Sequence, residues 1–167
     1  MTPDDPGSIR TAEAFTRAVE PHWASMAALA ARAGQARDDV LQDALATAWR
    51  RRRSYDPGRG GLRGWLLAIV VDAASKHWRT GRRVPVPAAT DGANGPEADR
   101  SQALDLTRAL EALTRRERQA VELYYYGDLD IAATAAAMRC SSGTVKSTLA
   151  DARRRLYTYL GEDYRHV

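Results

Sequence analysis

The chain has 167 residues, of which 44% are hydrophobic and 28% charged, a balance typical of a soluble globular protein of one domain or two small ones. Its single cysteine, Cys140, excludes an internal disulfide and favours a reducing compartment. No apolar run is long enough to span a bilayer, and the acidic N-terminus does not resemble a secretory signal, so we expect a cytoplasmic protein without membrane insertion.

An enzyme is not expected from this composition. The chain has three histidines and one cysteine, with no phosphate-cradling glycine loop and no spacing typical of metal ligands. We therefore expect no catalytic residue, no metal and no cofactor. The net charge of +4 is small, but residues 50–83 contain ten Lys or Arg against two Asp, a local balance of +8. Such a cluster is typical of a surface that binds a polyanion, although it could also be a solvated basic surface.

The N-terminal part is predicted to be helical, because apolar residues recur at steps of three and four and strand-like alternation is almost absent. Residues 12–33 predict one amphipathic helix or a bent pair near Pro21. A second helix is expected from an N-cap at Asp38 to about Arg53, with Asp39, Gln42 and Asp43 away from its buried stripe. A loop at residues 54–61 then leads to a helix from about Leu62 to about residue 81.

A linker is expected at residues 84–99, which are rich in Pro, Ala, Gly, Asn and Asp and show no periodicity. The sequence thus predicts an all-α protein of two small helical domains, residues 1–83 and residues 100–167, joined by this flexible linker.

The C-terminal part has the pattern of a helix-turn-helix. Thr114 and Glu117 form a capping box, Asp128 or Asp130 caps a short alanine-rich helix, and Ser141 or Ser142 caps the last helix. Early positions of such a last helix reach base edges, and later cations are placed for phosphates or solvent. The candidate DNA-contacting residues are Ser142, Thr144, Lys146, Ser147, Thr148 and Arg153. A plain helical bundle with a basic last helix is the alternative.

The whole chain resembles the extracytoplasmic-function (ECF) group of bacterial sigma factors, which have two helical domains called regions 2 and 4. The similarity rests on four segments of the chain: residues 38–50 (DDVLQDALATAWR), 55–57 (YDP), 62–66 (LRGWL) and 143–147 (GTVKS). The first is similar to the family's polymerase-binding helix, the next two to the loop and helix start that melt the upstream promoter element, and the last to the helix that recognises the distal element.

The resemblance implies a factor that binds core RNA polymerase, recognises promoter DNA and promotes strand opening, and that is commonly held inactive by an anti-sigma factor. Asp39, Gln42 and Asp43 would bind the polymerase. A melting surface needs cations for the backbone and aromatic surfaces or pockets for bases. Its candidate residues are Tyr55, Asp56, Arg63, Trp65, Asp72, Lys76, His77 and Arg79. Trp65 could instead be a core residue, and Trp78, like His77, lies among cations.

Three positions depart from the family pattern. Val71-Asp72 stands where the family often has Arg-Asn, Lys76 where it often has Asp, and Thr148 where it often has Arg. An anionic Asp72 beside DNA would need to accept from a cytosine amino group or pair with Lys76 one turn on. Two other functions stay open from the sequence: a DNA-binding regulator that uses only the helix-turn-helix, and a protein that sequesters polymerase or another factor.

Overall fold

The computed structural model describes residues 9–79 and 109–160, and only the backbone of Trp78, Arg79 and Leu160. The expected linker at residues 84–99 lies outside these ranges. Within them no strand is found, and residues 109–111 form the end of a further helix. The described ranges contain α1 (Ala12–Val19), α2 (Trp23–Ala31), α3 (Arg37–Arg51), α4 (Leu62–Arg79), α5 (Arg115–Val121), α6 (Ile131–Met138) and α7 (Ser142–Leu160), of which α4 and α7 are described as far as Arg79 and Leu160.

The first helical segment is a bent pair, as one of the two sequence alternatives proposed. The Thr11 hydroxyl accepts a hydrogen bond from the Ala14 amide (3.2 Å) and caps α1. Pro21 lies in a 3-10 turn, Glu20–His22, between α1 and α2. Proline has no amide hydrogen to continue an α-helix, so the chain changes direction here.

Helix α3 begins two residues earlier than predicted, and the expected N-cap at Asp38 is wrong. Ala36 precedes the helix without a side-chain cap, and Asp38 and Asp39 lie in the first turn, where their charge favours the positive end of the helix dipole. The helix ends at Arg51 and is followed by a 3-10 turn, Arg52–Ser54. Val40 and Ala44 are fully buried against the neighbouring helices, which leaves the acidic side of α3 facing outward.

The C-terminal half begins with the predicted capping box at Thr114 and Glu117, which is confirmed. Helix α5 continues into a π-helical turn, Glu122–Tyr126, that ends at Gly127. Of the alternative caps, Asp130 accepts from the Ala133 amide (2.7 Å) at α6, and Ser141 accepts from the Thr144 amide (3.1 Å) at α7. Together α6, the turn through Arg139 (φ 54°) and α7 form the predicted helix-turn-helix.

The two halves pack against each other, which the sequence did not predict. Buried apolar residues from both halves belong to one contiguous cluster. Helix α4 contacts α5, the π-helical turn and α6, so it forms the N-terminal side of the interface between the halves. We call this interface the seam, and its principal residues are Arg32, Gly60, Arg63, Gly64 and Asp72 on one side and Arg115, Glu122, Gly127, Asp128, Ala133, Ala136 and Ala137 on the other.

Candidate nucleic-acid interface

The acidic face of α3 is accessible. Asp39 and Gln42 are exposed and Asp43 is partly exposed, because the apolar residues between them turn into the core. One Asp43 oxygen, Oδ2, lies 3.1 Å from Nε2 of His77 on α4. This face therefore presents carboxylate and amide groups to solvent, with Asp43 also tied to the neighbouring helix.

His77 is packed between helices in this structure. Only 9% of the residue is exposed, and its ring lies against Asp43. Lys76 is exposed beside it. The side chains of Trp78 and Arg79 lie outside the described part. Of the candidate cationic and aromatic groups at this end of α4, the structure thus presents Lys76 on the surface and holds His77 inward.

The loop before α4 is held together by its aromatic residues. Tyr55 is buried, its ring centroid lies 5.4 Å from that of the partly buried Trp65, and its hydroxyl donates to the Gly60 carbonyl (3.3 Å). Asp56 is exposed and accepts from the Gly58 amide (2.9 Å), which caps the 3-10 turn Pro57–Arg59. The aromatic pair therefore fixes the loop, while the polar edge around Asp56 faces solvent.

Arg63 and Asp72, two candidate melting residues on α4, contact the C-terminal half. The Arg63 guanidinium donates to the Gly127 carbonyl (2.7 Å) and to the Asp128 carbonyl (3.1 Å). Asp72 pairs with Arg115 (3.1 Å) across the seam. The expected alternatives for Asp72 were a cytosine amino group or Lys76. In this conformation Asp72 is instead paired with Arg115, which lies 43 positions further along the sequence.

The N-terminal end of α7 is open to solvent. Ser142, Thr144, Lys146 and Ser147 are exposed there and Thr148 is partly exposed, while Arg153 is exposed two turns further on. The helix is anchored from its other side, where Val145, Leu149 and Ala152 are buried. A helix held in this way presents its first turns outward, as a recognition helix requires to enter a major groove.

Two buried carboxylates support the C-terminal half. Burial alone would raise the pKa of Glu117, but hydrogen bonds from Thr114 and the charge of Arg155 outweigh burial and hold that pKa below its usual value. Burial also raises the pKa of Glu122, and the attraction of Arg32 offsets this only in part. Glu122 Oε1 is buried without a hydrogen-bond partner, while Oε2 accepts from Arg32 Nε (2.8 Å).

Sequence reasoning missed Arg32, Arg115 and Glu122 as interacting residues. Arg32 and Glu122 are 90 positions apart and meet only because the two halves pack together. Arg32 also lies with its Cζ atom 3.3 Å from the centroid of the Tyr126 ring. A weak signal was available in Glu122 itself, an acidic residue set among apolar core positions of a predicted helix.

Across the described ranges, no group of three or more His, Cys, Asp or Glu is placed to hold a metal ion. None of the helices in those ranges combines the length and the apolar character needed to cross a membrane.

Comparison with known proteins decides the family. Residues 16–84 match the family Sigma-70 region 2, and residues 103–156 match Sigma-70, region 4. The ECF RNA polymerase sigma factor SigM of Mycobacterium tuberculosis is 36% identical over 142 residues, which cover 81% of this chain and 70% of that protein. The chain belongs to the ECF sigma factors. The ECF RNA polymerase sigma factor SigK of Mycobacterium tuberculosis is 31% identical over 129 residues, covering 71% of this chain and 69% of SigK.

Solved structures share the fold of this ECF sigma factor. CnrH in complex with the cytosolic domain of CnrY superimposes with a TM-score of 0.63 at 24% identity, covering 93% of this chain and 97% of CnrH. The sigma factor RpoE of Bartonella quintana, solved with the anti-sigma factor NepR, gives a TM-score of 0.60 at 24% identity, with 89% and 98% covered. The expected family and fold class are confirmed. Sigma factors recognise promoters for transcription initiation and are generally non-catalytic, and this chain is a promoter-recognising factor of that kind.

Proposed function

We propose that this sigma factor binds core RNA polymerase through the acidic face of α3, formed by Asp39, Gln42 and Asp43, and catalyses no reaction itself. The observation that carries the proposal is the exposure of this face on the half of the chain that matches region 2. Carboxylates on a rigid helix suit a basic partner surface, because complementary charge speeds association and fixes the orientation of the partners.

The two halves would contact different promoter elements. In this proposal the domain at residues 1–83 binds and opens the upstream element with residues from Tyr55 to Arg79, and the domain at residues 100–167 recognises the distal element with the first turns of α7. Residues 84–99 would connect them. Two DNA-binding modules on one tether gain affinity from effective concentration once polymerase fixes their spacing. The protein would act in the cytoplasm, where polymerase and promoters meet.

The direct test is run-off transcription with core RNA polymerase on genomic fragments, with and without the protein. We expect discrete new transcripts that depend on the protein. Polymerase binding without transcripts would favour a sequestering function, and the absence of both would favour a regulator that uses only the helix-turn-helix.

Charge reversal tests the polymerase-binding residues. Asp39→Arg should weaken polymerase capture by about tenfold or more, because a close like-charge contact at an interface costs more than 1.4 kcal/mol. Glu13→Arg is the matched control, since it makes the same charge change at an exposed position on α1. Equal loss in both variants would remove α3 from the proposed contact.

The distal contact can be tested on the same templates. Lys146→Ala should lose transcripts from promoters that depend on the distal element, while Arg154→Ala should keep them, because Arg154 pairs with Asp151 (3.1 Å) on the same helix. Loss of transcripts in both variants to the same degree would assign α7 a general electrostatic role.

An anti-sigma factor is a further proposed partner. The support is that both structural relatives were solved in complexes, CnrH with the cytosolic domain of CnrY and RpoE with the anti-sigma factor NepR. A protein that co-purifies with this chain should abolish its run-off transcripts when added back in equal amount. Unchanged transcripts would exclude that protein as an anti-sigma factor.

A further inference from the structure

Arg139, which directly follows α6, has a backbone conformation that residues with a Cβ rarely adopt. Its φ of 54° and ψ of 50° lie in the left-handed region. Among the residues that the structure describes, the other non-glycine with positive φ is Asp128 (φ 50°). Aspartate tolerates this region better, because its short polar side chain can hydrogen-bond locally, whereas the long side chain of arginine gives no such compensation. The backbone at Arg139 is therefore strained for its residue type.

The turn after α6 requires this conformation but does not require an arginine. The Arg139 amide donates to the Ala136 carbonyl (3.2 Å). The Cys140 amide donates to the Ala135 carbonyl (3.0 Å). These two hydrogen bonds form a Schellman motif, whose left-handed position is usually occupied by glycine because glycine has no Cβ to clash. Glycine would close the same turn with less strain, so the turn itself does not explain the arginine.

The side chain of Arg139 is exposed to solvent. Within the described ranges, no hydrogen bond or ion pair holds its guanidinium. Residues 139–148 contain two cations, Arg139 and Lys146, and no acidic residue, so no carboxylate among its neighbours in sequence neutralises the charge. The turn and the first turns of α7 therefore form a surface of one sign, which suits an anionic partner.

The turn holds Arg139 close to the start of the recognition helix. The Ser141 hydroxyl accepts from the Thr144 amide (3.1 Å) and lies 2.9 Å from the Thr144 hydroxyl, which fixes the entry into α7. Ser142 follows Arg139 by three residues, so their Cα atoms are at most about 11 Å apart. A DNA major groove is about 12 Å wide. When the first turns of α7 enter the groove, Arg139 therefore lies near one of the phosphate strands that border it.

We propose that Arg139 binds a DNA backbone phosphate beside the distal promoter element and thereby helps to fix how α7 sits in the groove. This proposal rests on the proposed recognition of that element by α7 and adds a contact from the turn that precedes the helix. A phosphate contact contributes affinity and orientation but no base selectivity. The strained backbone is then kept, at a cost in stability, for a cation that contacts DNA.

Three substitutions separate the charge of Arg139 from its backbone strain. Arg139→Gly removes both, Arg139→Gln removes only the charge, and Arg139→Lys keeps both. The matched control is Arg154→Gln, which removes an exposed charge that pairs with Asp151 on α7. Each full-length protein is titrated with a mixed-sequence duplex of about 30 base pairs, about three helical turns, at several salt concentrations. A mixed sequence is sufficient because phosphate contacts carry no sequence information.

Loss of the charge should weaken DNA binding by the amount expected for one phosphate contact. Arg139→Gln and Arg139→Gly should each reduce the slope of log K against log salt by about 1 and weaken binding about fivefold at 0.15 M salt. Arg139→Lys should keep the slope, since lysine also binds phosphate, and Arg154→Gln should keep it as well. A slope that Arg139→Gln leaves unchanged, or that the control reduces equally, would overturn the phosphate contact.

Thermal unfolding distinguishes a DNA contact from a structural role of Arg139. Arg139→Gly should raise the unfolding midpoint by about 2–4 °C, because glycine relieves the left-handed strain, whereas Arg139→Gln should leave the midpoint near that of the unaltered protein. A variant that is more stable and yet binds DNA more weakly does not owe its weaker binding to misfolding. A midpoint that does not rise in Arg139→Gly would contradict the strain assigned to this turn.

Failure of this contact and failure of the proposed function give different results. If the unaltered protein binds the duplex but gives no transcripts with polymerase, the initiation function fails, and the salt slopes still decide the Arg139 contact. If transcripts appear and Arg139→Gln has the slope of the unaltered protein, the initiation function stands and the Arg139 contact is wrong. Absence of duplex binding by the unaltered protein even at low salt would overturn the contact as well.

Discussion

Replacement of Arg32 by alanine should destabilise the protein because it leaves the buried Glu122 without its ionic partner. Glu122 is 3% exposed, and the structure gives its Oε2 atom the Arg32 guanidinium while Oε1 has no hydrogen-bond partner. The variant removes the guanidinium and leaves a buried carboxylate. The stacking of Arg32 on the Tyr126 ring is lost as well.

The expected loss of stability follows from the difference between the two partners of this buried ion pair. Removal of one partner typically costs about 3–5 kcal/mol because the remaining charge is uncompensated. We expect a cost of about 3 kcal/mol here, since Arg118 still attracts the Glu122 carboxylate. Glu122→Gln should cost only about 1 kcal/mol, because the Arg32 side chain is 22% exposed and keeps contact with water and the Tyr126 ring.

The assay is urea unfolding of the two single variants and of the double variant, analysed as a double-mutant cycle. The double variant should be more stable than Arg32→Ala alone, with a coupling of about 2 kcal/mol, since neutralising Glu122 removes the stranded charge. The defect of Arg32→Ala should also shrink toward acidic pH. Burial raises the pKa of Glu122 in the folded state above its value in the unfolded chain. As pH falls, the folded state therefore binds a proton before the unfolded chain does, and the free energy of unfolding decreases as pH rises through the folded-state pKa. Additive costs with no dependence on pH would refute this reasoning.

Three further results are expected. Glu117→Gln should remove an acid-sensitive contribution to the free energy of unfolding. The pKa of Glu117 is lowered in the folded state, so this contribution is present above the usual carboxyl pKa and is lost as pH falls through the folded-state pKa. Urea unfolding between neutral and acidic pH can measure it. Thr114→Ala should lower the free energy of unfolding by about 1 kcal/mol through loss of the α5 cap, and a change within error would mean that the capping box contributes little. Arg153→Ala should weaken promoter binding by the polymerase complex on all sequences alike and reduce the salt slope of log K by about 1, whereas a sequence-dependent loss would indicate base contact.

Local signals were sufficient to predict the helices. The Thr114 capping box, the break at Pro21 and the start of α4 at Leu62 each depend on neighbours within a few residues, and each appears in the structure. The cap at Asp38 failed because Gly34, with φ 60°, begins a short 3-10 turn, Gly34–Ala36, that brings the chain into α3 two residues earlier. Boundaries of this kind depend on the conformation of the preceding turn, which hydrophobic periodicity does not specify.

The candidate site was predictable by residue type but not by environment. Tyr55 was expected to offer an aromatic surface, yet its burial depends on Trp65 and the Gly60 carbonyl, which only the folded loop brings together. Arg63 was correctly placed at the start of α4, but its bonds to residues 64 and 65 positions away come from packing of the two halves. Such long-range contacts leave no periodic trace in the sequence.

Helix α6 is enclosed from two sides. Thr134, Ala135 and Met138 pack within the C-terminal half, while Ala136 and Ala137 lie against glycines of the N-terminal half. A helix with both sides covered tolerates few changes of volume, whether or not it meets DNA. Among close relatives α6 should therefore vary little beyond Gly, Ala and Ser at the positions that face Gly60 and Gly64. An alignment would display that constraint in the same way as a nucleic-acid contact, so sequence invariance at α6 would record the fit between the two halves and not the choice of promoter.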